Sequence, residues 1–344
     1  MERIPIAVVG LNFGRHIVRE LRIGPAGEYF ELAAVCDLDA ARADKLADRF
    51  RVDSFHSLEE LLEESDIPVV GLFTGPEGRA QLIRRIIDAE RDVMTTKPFE
   101  LDPDAAESVL HEARDAGRVV HLNSPAPLPP ADLQQANAWR EDMELGRPIA
   151  CRAETWASYR EEPDGSWQDD PDRCPVAPIF RLGIYLINDL VHLFGKAETV
   201  QVSSSHLFTG RPTPDNAQLS IRFENGALAN VFASFCIKDG LFYRNSLTIN
   251  YQNGTIYRNV GPVEADKREE THMSVVAGHD PQDPVIARTE VETRSGEYRW
   301  DLFHRAIQGE ELEGEISPEE IAEGLRIIQA MRQSEQSRCT EPVR

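Results

Sequence analysis

Lysine is scarce in this chain, and cysteine in paired, metal-binding arrangement is missing altogether. The lysines are Lys45, Lys97, Lys196, Lys238 and Lys267, and every other basic side chain is arginine. Cys36, Cys151, Cys174, Cys236 and Cys339 are scattered, with no CxxC pair and no histidine at ligand spacing. They read as reduced thiols, which excludes a disulfide scaffold and a zinc-dependent dehydrogenase; no metal site is expected. Long apolar runs are lacking too: nothing approaches the roughly 20 residues of a membrane-spanning helix, so no membrane partner is expected. Positive charge falls short, with 37 basic against 59 acidic residues and a net charge of −22. Such a surface would be repelled by a phosphate backbone, which argues against a nucleic-acid partner. An acidic, lysine-poor chain suits either a salty cytoplasm or a GC-rich genome.

What is present describes a globular protein, 41% hydrophobic and 28% charged over 344 residues, long enough for two domains. Ile4–Val9 reads as a buried strand so close to Met1 that no cleavable signal precedes it, and a cytoplasmic location is expected. Further strands are predicted at 32–36, 69–73, 92–95 and 119–122. Amphipathic helices are predicted between them at 40–49, 58–64, 79–90 and 103–116. Strand alternating with helix at this spacing predicts right-handed crossovers and a doubly wound parallel sheet. Pro125, Pro127, Pro129 and Pro130 then mark a junction. The expected domains are 1–122, holding a dinucleotide, and 123–344, holding substrate and the oligomer contact.

Beyond the junction a helix is predicted at 131–145, a strand at 149–159, an acidic loop at 160–177 and a helix from Pro178. The stretch 199–300 is strand-rich, with hairpin turns at Glu224-Asn225-Gly226 and Gln252-Asn253-Gly254. A last helix opens at Ser317-Pro318-Glu319-Glu320 with capping-box spacing. The second domain is thus expected to be α+β, a mainly antiparallel open sheet with helices on one face.

The chemistry-bearing residues cluster at strand ends. The first strand runs into Gly10-Leu11-Asn12-Phe13-Gly14-Arg15, where a dinucleotide fold needs a tight turn and a helix N-terminus against the pyrophosphate. Only Gly10 of the usual G-x-G-x-x-G stands in place; Asn12 tolerates positive φ, and Gly14 is read as supplying flexibility. Asp37 ends the second strand, placed for the ribose hydroxyls. A carboxylate there favours NAD, while Arg42 nearby keeps NADP open. Thr74-Gly75-Pro76 and Thr96-Lys97-Pro98 each follow a strand at the carboxyl edge of the sheet, where ligands bind in such folds. On the helix after Pro178, Arg181, Tyr185, Asn188 and His192 share one polar stripe at about 100° per residue, and Leu182, Leu186, Leu190 and Leu193 share an apolar one.

The order and spacing of these motifs resemble the glucose–fructose oxidoreductase / inositol dehydrogenase / MocA family over nearly the whole chain. The resemblance rests on the glycine turn, Asp37, Thr74–Pro76, Lys97-Pro98, Asn123, Gly146-Arg147-Pro148, the 181–195 helix, Asp215, the 223–226 hairpin and the last helix. It implies an N-terminal Rossmann domain and an NAD(P)-dependent dehydrogenase or reductase acting on a hydroxyl or ketone of a sugar, cyclitol or sugar-acid-like substrate. It also implies a homodimer or homotetramer through the C-terminal sheet. The implied cofactor residues are Gly10, Asn12, Phe13, Gly14, Asp37, Thr74, Pro76, Lys97 and Asn123. Lys97 and Tyr185 would be catalytic, with Tyr185 where much of the family has histidine, as in the glucose–fructose oxidoreductase branch. Lys97 would lower the pKa of the Tyr185 phenol. Arg181 and Asn188 would face substrate; Arg181 stands where the family has aspartate and Thr96 where it has glutamate. An Arg181 open to the crevice would favour substrates bearing carboxylate or phosphate; paired to Asp189 or to the 161–172 loop it would be structural. His192 is read as structural. Two other readings stay open: a glycoside-cleaving member that uses bound NAD transiently, and a dinucleotide-binding sensor without catalysis.

Overall fold

The structure, a computed structural model, describes residues 3–240, 243–262, 271–278, 282, 284–291 and 296–344; Lys267 lies outside them. The chain divides into two compact units, Met1–Leu128 with Tyr298–Pro318, and Pro129–Glu297 with Glu319–Arg344. The break at 122/123 expected from the sequence therefore differs from the observed division: the chain runs on to Leu128 before leaving the first unit and later returns to it.

The first unit alternates strand and helix: β1 (Ile4–Val9), α1 (Leu11–Ile23), β2 (Phe30–Cys36), α2 (Ala40–Phe50), β3 (Asp53–Phe55), α3 (Leu58–Glu64), β4 (Val69–Leu72), α4 (Arg79–Asp88), β5 (Asp92–Thr95), α5 (Pro103–Asp115) and β6 (Val120–Leu122). The six strands are parallel in the order β3-β2-β1-β4-β5-β6. The order reverses at β1/β4, the point where open α/β sheets leave a crevice at their carboxyl ends. Short polar side chains start the helices: Asp39 accepts from Arg42 N, Ser57 from Glu60 N, and Asp102 from Asp104 N and Ala105 N. The three-residue β3 was not expected, being too short to show an alternating pattern.

The second unit contains α6 (Ala131–Asp142), β7 (Pro148–Trp156), α7 (Ile184–Phe194), β8 (Ala197–Ser205), β9 (Asn216–Phe223), β10 (Leu228–Ser234), β11 (Arg244–Tyr251), β12 (Gly254–Arg258), β13 (Thr271–Ala277) and β14 (Val285–Val291). Then α8 (Trp300–Ile307) returns to the first unit, and α9 (Pro318–Ser337) and β15 (Glu341–Pro342) close the second. Its sheet runs β14-β13-β12-β11-β7-β10-β9-β8-β15, antiparallel except for the parallel pair β7/β10. Inward residues alternate with outward ones along β9 and β10, as a sheet with one covered face requires.

In the first unit, α8 lays Trp300 and Phe303 against Phe30, with ring centroids 5.5 and 5.3 Å away. In the second, Arg258 of β12 is fully buried between Asp132 of α6 at 2.6 Å and Asp189 of α7 at 2.8 Å. Breaking such a buried set strands a charge in low dielectric, which costs about 3–5 kcal/mol. This anchor fixes α7, the helix of the polar stripe. One departure from the expected helix precedes it: Ile179–Gly183 forms a π-helical turn before the α-helical residues begin. The wider turn takes Arg181 out of the 100° spacing that placed it in line with Tyr185. Among the described residues no helix is long and apolar enough to cross a membrane.

Candidate active site

At the end of β1 the chain must turn within one residue, and Gly10 does so with φ +85°. A Cβ there would meet the Phe73 carbonyl carbon and oxygen at 2.9 Å, so only glycine fits. Gly10, at the N-cap of α1, has no side chain to cap the helix itself. Asp37 sits beside it, its Oδ2 accepting from Leu11 N at 2.7 Å and its Oδ1 from Asp39 N at 2.9 Å. Arg42 Nη1 lies 3.3 Å from both oxygens. A glycine turn, a helix start and an oriented carboxylate thus meet at the carboxyl end of β1, the kind of donor and acceptor set that dinucleotide-binding folds use. Phe13 is 45% exposed, its ring 6.0 Å from that of Phe73.

Two readings of this turn need correction. Asn12 lies within α1 and not at positive φ. Gly14 is not a flexible turn residue: it is helical and buried, and a Cβ on it would meet Val8 Cγ1 at 2.9 Å. Its role is to let α1 approach β1.

Lys97 is half-buried on the loop after β5. Its backbone N donates to Asn123 Oδ1 at 3.0 Å, and Thr96 Oγ1 lies 3.3 Å from the same oxygen. Asn123, expected to contact cofactor, thus orders the Lys97 loop. Tyr298 donates its hydroxyl to Thr96 Oγ1 at 2.8 Å; burial pushes this phenol up, keeping it protonated and a donor. Thr74 lies on the loop after β4 with its carbonyl bonded to Arg79, and Pro76 is buried with its carbonyl accepting from Arg79 N at 3.3 Å. Arg79 Nη1 also donates to the carbonyls of Thr96 at 2.6 Å, Pro98, and Phe99 at 3.1 Å. Glu100 accepts from Gly78 N at 3.3 Å and Ala80 N at 2.8 Å, capping α4.

On the second unit, Tyr185 is half-buried, its ring against Gly296, where a Cβ would come within 2.4 Å of Cε1. The other members of the stripe have structural surroundings. Arg181 pairs with Glu161 through both nitrogens, at 2.6 and 2.9 Å, and its guanidinium lies 5.2 and 4.8 Å from the Tyr159 and Phe235 ring centroids. This is the loop-paired alternative, and it removes the basis for expecting an anionic substrate. The carboxylate beside it outweighs burial and holds the Arg181 cation above its usual range. Asn188, expected to face substrate, is buried with Oδ1 packed so closely on Gly324 that a Cβ there would sit 2.3 Å away. His192 Nδ1 is 2.9 Å from Glu320 and Nε2 3.3 Å from Asn137 Nδ2, a structural bridge.

Sequence reasoning missed Arg79 and Tyr298. Arg79 carried one signal: a cation at a helix start opposes the helix dipole and asks for a reason. Tyr298 carried none, since its partner is 202 residues away.

Known proteins resemble the chain along both units. The profile of an oxidoreductase family with an NAD-binding Rossmann fold matches residues 4–124, and that of the GFO/IDH/MocA C-terminal domain matches residues 133–257. The dehydrogenase aclE of Aspergillus oryzae is 26% identical over 219 residues, 60% of this chain and 59% of that one, under two thirds of its length. The 1,5-anhydro-D-fructose reductase of Ensifer adhaerens is 25% identical over 283 residues, 80% of this chain and 81% of that one. The structure of the WlbA dehydrogenase of Bordetella pertussis with NADH and UDP-GlcNAcA shares the fold, with a TM-score of 0.75 at 18% identity, covering 100% of this chain and 99% of that one.

Proposed function

The chain belongs to the glucose–fructose oxidoreductase / inositol dehydrogenase / MocA family of NAD-binding oxidoreductases, and from that premise we propose that it interconverts a secondary hydroxyl and a ketone on a neutral sugar or cyclitol. Bound NAD supplies or accepts the hydride. The protein supplies position and proton transfer. Gly10 and the amides of Asn12 and Phe13 hold the pyrophosphate, and Asp37 takes the adenosine ribose. Lys97 orients the reacting oxygen and stabilises negative charge on it, and Tyr185 takes or returns its proton. The observation that carries this reading is the built surroundings of Lys97, whose backbone is held by Asn123 and whose neighbour Thr96 is held by Tyr298. The neutral substrate follows from the Arg181–Glu161 pair. A homodimer or homotetramer through the outer face of the nine-stranded sheet is part of the proposal, and sedimentation checks it.

The test is turnover on a panel of sugars, cyclitols and matched sugar acids with NAD or NADP. On a converted substrate, Lys97→Ala and Tyr185→Phe should keep the fold and NADH affinity yet lose about 10²-fold or more in kcat. Near-normal turnover in either would remove that residue's role. A dinucleotide sensor is the second reading, favoured by Arg181, which stands where the family resemblance implies an aspartate, being tied to Glu161; NADH binding without turnover across the panel would support it.

A further inference from the structure

Arg79 is an arginine where neither helix nor core asks for one. It is the first residue of α4, 1% exposed, with its cation at the helix end that repels cations. Burial pulls its pKa down to about 10. What it gains there is a set of carbonyls. One guanidinium donates to Thr74 O on the loop after β4 and to Thr96 O, Pro98 O and Phe99 O on the loop after β5. Glu100, from the second of these loops, reaches back to cap the helix that Arg79 opens. Cation and anion thus cross between helix and loop in opposite directions.

The bonded carbonyls bracket Lys97. Those of Thr96 and Pro98 flank it, and Asn123 holds its own N–H. With the peptide planes on both sides fixed, the Lys97 amine is steered by its side-chain torsions alone. We propose that Arg79 is a positioning residue for Lys97, locking the β4 and β5 loops into one body so that the amine meets bound dinucleotide at a set place. This rests on the reading of Lys97 given above. The demand is for a guanidinium, because a planar fork with donors on separate nitrogens spans two loops, whereas an ammonium offers its donors from one atom.

The test reads Lys97 directly and needs no substrate. Acetic anhydride labelling of Lys97 is followed by mass spectrometry from neutral to alkaline pH, with and without saturating NADH, in wild type, Arg79→Met and Arg79→Lys. Melting temperature and NADH affinity by fluorescence are measured on the same samples. In wild type, NADH should slow Lys97 labelling about tenfold or more, and in both variants, folded and saturated with NADH, most of that protection should be lost, as small displacements at a reacting group cost this much. The pH profile of labelling should shift in both, and Arg79→Lys should recover melting temperature without recovering protection. If protection and profile stay as in wild type, or if neither variant folds, Arg79 is a structural residue and the proposal is overturned. If wild type binds NADH without protecting Lys97, the reading of Lys97 itself fails, and the positioning role falls with it.

Discussion

Asp37 illustrates how one side chain can do two jobs that separate under mutation. Its carboxylate orders the Gly10 turn through Leu11 N and holds Arg42 close. Asp37→Ala should therefore weaken NADH by about tenfold or more, the loss of charge-assisted hydrogen bonds, while freeing Arg42 for a 2′-phosphate. Fluorescence titration should show NADPH losing less than NADH; equal losses would deny Asp37 its selective role. Arg181 separates in the opposite sense. Its side chain is 11% exposed and that of Glu161 29%, between the surface pairs worth about 0–1 kcal/mol and buried ones worth 3–5. Arg181→Gln should lower stability by about 1–3 kcal/mol in denaturant melts and leave the preference between acid and neutral sugars unchanged. A preference that moves with the mutation would return Arg181 to the substrate. Both residues stood out in the sequence, Asp37 as an acidic residue closing β2 and Arg181 for a role that its pairing with Glu161 argues against. The letters give a residue's chemistry and place on its element, but not that a loop twenty residues upstream supplies the counter-charge.

Elements were most legible where a single apolar run or cap defined them. The bounds of β1, β5 and α3 match because buried strands read as continuous runs, and Ser57 starts α3 as a cap should. The π turn before α7 was hidden, because side-chain periodicity does not report an added backbone residue per turn. The return of α8 was hidden too, since its helical pattern does not say which sheet it packs on. Its Phe303 lies 5.3 Å from the ring of His121 in β6, which is 2% exposed with Nε2 unpartnered. Burial pulls the His121 pKa down to about 3, with Asp301 opposing and Arg299 assisting. The folded pKa lies below the unfolded one, so the unfolded state binds the extra proton, and stability falls as pH drops from about 6.5 toward 3. His121→Phe should remove this component. Relative to wild type, it should gain up to about 1.4 kcal/mol per pH unit below 6.5. Parallel stability-against-pH curves for the two proteins would show that His121 is not the group responsible.

Across the whole molecule the excess of 22 negative charges is a standing self-repulsion that salt can screen. Raising KCl from about 0.1 to 1 M shortens the screening length from about 10 to 3 Å and should raise Tm on the order of 5 °C. A flat or falling Tm would mean that screening of the acidic surface is offset by loss of its arginine pairs. Two units and two sheet types were legible at this scale; the path of the chain between them was not. That path sets the order of events during synthesis. Phe30 and the inner face of β2 are made early, but Trp300 and Phe303, which cover Phe30, emerge only after about half of the chain has followed Leu128. At roughly 5–20 residues per second the ribosome leaves this apolar face bare for on the order of ten seconds. The nascent dinucleotide unit must spend that interval incomplete, and it can close only once Trp300 and Phe303 have been translated.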